Sequence, residues 1–165
     1  MKRYSVAIVG ATGLVGQEFI KTLLQRDFPM DSVRLMASDR SAGRKIAVGE
    51  RQVEVEETLT ASFDGVEIAL FSAGAEQSKR FSPLAARAGA VVIDNSAAWR
   101  MDRTVPLVVP EVNVEDIRWH NGIIANPNCS TIQMVVALYP LHKVNPIKRI
   151  VVGSRSTHFC PRCQR

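Results

Sequence analysis

Residues 126–134 read NPNCSTIQM, and Cys129 stands between Asn128 and Ser130 just ahead of an apolar run. Cysteine more often hides as a small hydrophobe. Here polar neighbours frame it at the start of a segment, STIQMVVALYPLH, that reads as a helix. The unpaired N–H groups and the positive dipole end of a helix favour a thiolate, and the thiolate is the nucleophile. Its attack on an acyl group gives a thioester through an oxyanion, which backbone N–H groups and the Asn128 amide are placed to receive. Position alone leaves a second role open, a cysteine that caps a helix for packing.

A second group of residues supplies a reason for a thioester. The stretch GATGLVG spaces Gly10, Gly13 and Gly16 between a strand-like run, YSVAIVG, and an amphipathic helical run from Leu14 to Leu24. Glycines there allow a tight turn and a close backbone approach to a pyrophosphate, and the helix N-terminus faces the phosphates. The plain alternative is a glycine-rich turn with no ligand. After the next strand comes SDRSAGRK. A carboxylate at that place favours NAD through the ribose hydroxyl, and an arginine accommodates the NADP phosphate. Asp39 and Arg40 are both present, and Arg40, Arg44 and Lys45 tip the loop positive, which favours NADP over a merely solvated basic loop. Beside a nicotinamide a thioester accepts hydride, so the combination suggests acylating aldehyde dehydrogenase chemistry.

These residues need a scaffold that brings loop ends together. Apolar runs at VRLMAS, VEIALFSAG, AVVIDNSA and GIIAN read as further strands, with IKRIVV as a last one. The segment EQSKRFSPLAARA reads as a helix that Pro83 kinks or restarts. KIAVGERQVEVEE alternates around Gly49 like a hairpin inserted at the sheet edge. Alternating strands and helices predict an α/β fold, a Rossmann-like doubly wound, mostly parallel sheet. In such sheets ligands bind beyond the carboxyl ends of the strands. Gly10–Gly13, Ser38–Ser41, Ser72–Gly74, Asn95–Ser96 and Asn126–Cys129 should therefore converge on one edge.

Composition narrows the class. With 46% hydrophobic and 22% charged residues, the 165-residue chain is an ordinary soluble domain with a real core. No apolar run approaches a membrane span, and the N-terminal run ends too soon in a glycine turn for a signal peptide, so a cytoplasmic protein is expected. The net charge of +5 owes three arginines to residues 153–165, leaving no basic stripe for nucleic acid elsewhere. Three cysteines do not make a disulfide framework.

The strings VAIVGATGLVGQEF, SDRSAG, FSAGAEQS, VVIDNSAAWRMDRTVPLVVPEVN and NPNCSTIQM together resemble bacterial aspartate-semialdehyde dehydrogenase over residues 3–152. The resemblance implies NADPH-dependent reduction of L-aspartyl-4-phosphate to aspartate semialdehyde, a step toward lysine, methionine and threonine. It implies that Cys129 is the attacking thiol. It assigns Gly10, Thr12, Gly13, Leu14 and Val15 to the cofactor turn. Ser38, Arg40 and Ser41 fall to the 2′-phosphate loop, and Ser72, Ala73 and Gly74 to a cofactor-lining turn. Arg100 would hold the substrate phosphate, a task suited to its planar fork, with Asn95 and Asn128 lining the same pocket. The related N-acetyl-glutamyl-phosphate reductase shares architecture and acyl-phosphate chemistry, but a glycine is expected there before the cysteine.

The resemblance stops at Val152. It implies a domain 1–130 that binds NADP, the beginning of a catalytic and dimerisation domain of α+β type at 131–152, and a tail, 153–165, foreign to the family and expected to be disordered. The family's catalytic histidine, its substrate-carboxylate arginine and most of its homodimer interface have no counterpart here. A chain of this sort is expected to be a truncated form with negligible turnover, or a non-catalytic module that binds NADP or full-length subunits. Val135, Val136, Leu138 and Leu141 should then be left bare, with partial disorder from about Ile132 onward. The tail's Cys160 and Cys163 have C-x-x-C spacing, but with His158 they make three potential ligands where a structural zinc needs four, so no metal is expected.

Overall fold

The computed structural model describes residues 2–153. The tail, with Cys160, Cys163 and the disorder expected there, lies outside the described residues. β1 (Tyr4–Val9) leads through the glycine turn into α1 (Leu14–Gln25) and β2 (Met30–Ala37). A hairpin follows, β3 (Lys45–Val48) and β4 (Arg51–Glu57), then β5 (Ile68–Phe71), α2 (Ala75–Arg87) and β6 (Val91–Asp94). A short α3 (Pro110–Asn113), β7 (Ile123–Ala125) and α4 (Cys129–Val144) complete the order.

The seven strands form one sheet in the order β3-β4-β2-β1-β5-β6-β7. Every pairing is parallel except β3 with β4. The expected doubly wound sheet is thus present, and the hairpin lies at its edge with Gly49 in the left-handed region at φ 61°. The chain order reverses at β1, which sits between β2 and β5. That reversal opens a crevice at the carboxyl ends of β1 and β5.

Alternation along β1 builds two cores. Val6 and Ile8 pack with Ile20 of α1 and with Leu35 and Val55. Ala7 and Val9 face the other way, onto Phe71, Phe81 and Ala85 around α2. Phe63 stacks on Phe71 with ring centroids 6.1 Å apart, closing that second core from the β4–β5 connection. Pro83 neither ends nor restarts α2, which is a single assigned helix. A proline removes one helical hydrogen bond, and the buried face of Ser78, Phe81, Ser82 and Ala85 holds the helix on the sheet regardless.

One sequence expectation needs correction. IKRIVV is not a strand: residues 147–152 carry no regular structure and only Ile147 is even half-buried. A strand needs a partner for its backbone groups, and β7 ends the sheet on that side. The region around Pro110 holds a helical turn and a 3-10 segment, Val114–Trp119, that no periodicity announced.

α4 differs from the other helices. It is continuous to Val144, through the region where disorder was expected, yet it buries no residue. Leu141 and Val144 are mostly exposed. An apolar groove of about 230 Å³ runs between it and α3, lined by Val112, Val135, Leu138, Tyr139 and Ile147. α4 is continuous across residue 130, where a domain boundary was expected. No helix among the described residues is long and apolar enough to cross a membrane.

Candidate active site

The crevice at the reversal point is a cavity of about 570 Å³. Its floor is the glycine turn. Gly10 adopts φ +90°, and a Cβ there would stand 2.6 Å from the Ser72 carbonyl oxygen, so the turns after β1 and β5 touch backbone to backbone. A Cβ on Gly16 would stand 2.3 Å from the Gly10 carbonyl oxygen, so α1 closes directly onto the turn. Gly10, Thr12, Gly13, Ser38, Arg40, Ser72 and Ala73 all line the cavity. Leu14, Val15, Ser41 and Gly74 fall outside its lining, although the Thr12 hydroxyl reaches that of Ser41 at 3.4 Å. Asp39 and Arg40 both face the cavity from a 3-10 turn, Asp39–Ser41.

Part of the lining escaped the sequence. Thr58 and Leu59 follow β4, and Thr58 is fixed by bonds from its N–H (2.8 Å) and hydroxyl (2.9 Å) to the Ala37 carbonyl. β4 pairs in parallel with β2, so its carboxyl end belongs to the same edge, a pairing that the hairpin pattern alone does not announce. Gln77 and Arg80 reach the cavity from α2, three residues apart on one helical face.

A second cluster forms past β6 and β7. The Arg100 guanidinium donates from Nε to the Asn126 carbonyl (2.9 Å) and from Nη2 to the Asn95 carbonyl (3.0 Å). The Asn126 amide donates to Asn95 Oδ1 at 2.7 Å. Arg100 thereby clasps two adjacent strand ends and still has N–H groups to offer an anion. Cys129 is exposed and opens α4 three residues beyond Asn126. Asn128 is the helix N-cap: its Oδ1 accepts from the Ser130 N–H (3.0 Å) and hydroxyl (2.6 Å), with Cys129 Sγ at 3.9 Å. The first bond from the following turn is the Ile132 N–H to the Asn128 carbonyl. The N–H groups of Cys129 and Thr131 stay outside the helix's own bonding. An Asn128→Ala chain should lose about 1 kcal/mol in urea denaturation. An unchanged midpoint and slope would show that the cap contributes nothing.

Neither described histidine belongs to this cluster. His120 Nδ1 accepts from the Gly122 N–H at 3.0 Å, at the opposite end of β7 from Asn126. His142 Nδ1 accepts from the Ile147 N–H at 3.1 Å, about 20 Å along α4 from Cys129 at 1.5 Å per residue. Among the described residues no group of side chains could hold a metal ion.

Fold and glycine turn together define a dinucleotide-binding domain of the doubly wound class. Residues 5–120 match the family model described as semialdehyde dehydrogenase, NAD binding domain. The chain belongs to that family. It is 54% identical over 149 residues to aspartate-semialdehyde dehydrogenase of Bacillus subtilis, covering 90% of this chain and 43% of the relative. The structure of aspartate semialdehyde dehydrogenase II of Vibrio cholerae complexed with ASA superposes at a TM-score of 0.84. Identity there is 49%, over 86% of this chain and 47% of that one. The Candida albicans enzyme, solved with NADP, gives a TM-score of 0.75 at 28% identity, over 88% of this chain and 48% of that one. The chain thus spans less than half the length of these relatives. A different model, a zinc finger found in FPG and IleRS, matches residues 145–165. That match contains three donors of the kind zinc takes, Cys160, Cys163 and His158, where a closed structural site has four.

Proposed function

We propose that this chain is the cofactor- and nucleophile-bearing part of an NADP-dependent aspartate-semialdehyde dehydrogenase. One observation carries the reading: Cys129 opens α4 directly off the strand end whose carbonyl anchors Arg100. A nucleophile and a phosphate-binding cation therefore share one edge with the dinucleotide cavity. The cavity fits the cofactor, because the glycine cradle leaves backbone where a pyrophosphate must approach. Arg40 faces it from the loop that would meet a 2′-phosphate.

The residues divide the work as follows. The Cys129 thiolate attacks the acyl carbon of aspartyl-4-phosphate, a carbon–sulfur bond forms, and the carbon–oxygen bond to phosphate breaks. Arg100 takes up charge on the departing phosphate. The free N–H groups at the mouth of α4 receive the oxyanion of the tetrahedral intermediate. NADPH, when bound, would supply the hydride that takes the thioester to the aldehyde, with the carbon–sulfur bond breaking and the Cys129 thiolate leaving. A general acid or base has to come from outside the described residues, since both described histidines are engaged elsewhere. Residues 2–153 should therefore support acylation of Cys129 and not full turnover.

Incubation with aspartyl-4-phosphate followed by peptide mass spectrometry should find the acyl group on Cys129, and none in Cys129→Ser. NADPH fluorescence should saturate, with affinity about tenfold weaker in Arg40→Ala, the order expected for losing a charge-assisted bond. No adduct at Cys129 would sink the thioester reading. An Arg40→Ala chain that binds NADPH as well as the parent would sink the NADP assignment.

A further inference from the structure

Asp94 ends β6 with its side chain fully buried, and among the described residues no ion pair involves it. A buried carboxylate is costly unless donors surround it. Here three do: the Ser96 N–H to Oδ1 at 2.8 Å, and the Ser96 and Ser78 hydroxyls to Oδ2 at 2.8 Å each. Neither the dinucleotide cavity nor the acyl chemistry uses this group. The bonds around it show what it holds. Its backbone carbonyl accepts from the Asn126 N–H at 2.8 Å. Ser96 Oγ accepts from the Ala98 N–H at 3.0 Å, and Trp99 Nε1 donates to Ser78 Oγ at 3.3 Å. Residues 94–99 are thereby pinned in succession, and Arg100 is the next residue. Ser78 belongs to α2, the helix that also lends Gln77 and Arg80 to the cavity wall.

We propose that Asp94 is a positioning residue for Arg100: its carboxylate keys the 95–100 segment to α2 and so aims the guanidinium at the anion. The proposal rests on Arg100 being the phosphate-binding residue. Asn at position 94 keeps the shape and the bond from the Ser96 N–H, but turns one acceptor of two hydroxyls into a donor. The Ser96 hydroxyl then needs another acceptor, and the segment loosens ahead of Arg100.

The test uses the full 165-residue chain, with inorganic phosphate followed by calorimetry and NADPH by fluorescence. Asp94→Asn should weaken phosphate binding about tenfold, a loss typical of a bond to a charged group, and leave NADPH affinity unchanged. In an Arg100→Lys background the same substitution should add little, because a residue acting through Arg100 has nothing left to aim. An equal loss in both backgrounds, or no loss in the parent, overturns the positioning role while leaving the phosphate site standing. An Arg100→Ala chain that binds phosphate like the parent overturns the phosphate site itself. Should Asp94→Asn fail to fold, Ser96→Ala carries the same cycle.

Discussion

Gly16→Ala should abolish saturable NADPH binding and cost about 2–3 kcal/mol of stability, while Gly13→Ala leaves a folded chain. Alanine is the better helix former by about 1 kcal/mol, so propensity alone predicts that the change at Gly16, inside α1, helps, whereas Gly13 is the N-cap, where that preference does not apply. Space decides otherwise at Gly16. A Cβ on Gly16 would stand 2.3 Å from the Gly10 carbonyl oxygen and 2.8 Å from the Ala11 Cα, both backbone atoms of the turn. No rotamer relieves that contact, and α1 has to back away from β1. Ile20 on α1 is buried against Val6, Ile8 and Leu35, so the retreat opens that core as well. It also withdraws the helix N-terminus from the phosphates. On Gly13 the nearest atom is the Gly10 oxygen at 3.3 Å, a crowding that a few tenths of an ångström relieve. Urea denaturation and NADPH titration of the two variants side by side give the comparison. Equal behaviour of the two would mean that close approach is not what the third glycine serves.

That contrast marks what was legible in the residues. Spacing announced three glycines between a strand and a helix, but not which one was sterically required. Short apolar runs were enough for β1, β2, β5 and β6, because buried parallel strands advertise themselves by composition. The parallel pairing of β4 was not legible. A hairpin signal describes how β3 meets β4 and says nothing of the strand on the far side of β4, so Thr58 and Leu59 went unseen at the cavity. IKRIVV fails for the converse reason: its composition suits a strand, but strandhood requires a neighbour, and none is present among the described residues. Asp94 was read only as part of the strand-like run AVVIDNSA. Its role depends on Ser78, sixteen residues away on a helix that Pro83 seemed to interrupt. Asn128 was read for its amide as oxyanion support; its part as helix cap, which uses Oδ1 and not the amide N–H groups, was not read.

Arg100→Lys should weaken phosphate binding by about ten- to a hundredfold, nearly as much as Arg100→Ala, although lysine keeps the charge. On the proposed reading the guanidinium performs two tasks at once. Nε and Nη2 bridge the carbonyls of Asn126 and Asn95, joining the ends of β7 and β6, and the remaining N–H groups are left for the anion. A planar fork with five donors in fixed directions accommodates both tasks. An ammonium is a single point with three donors on a flexible stem, so bonding to either carbonyl takes it away from the phosphate. Placing it on the phosphate leaves two strand-end carbonyls without their partner. Were the site a simple pool of positive charge, lysine would retain most of the affinity and added salt would erase the rest. Calorimetric titration of parent, Arg100→Lys and Arg100→Ala with inorganic phosphate at two ionic strengths separates these cases. A lysine variant close to the parent would reduce Arg100 to a counter-charge, and the clasp between Asn95 and Asn126 would then be structural only.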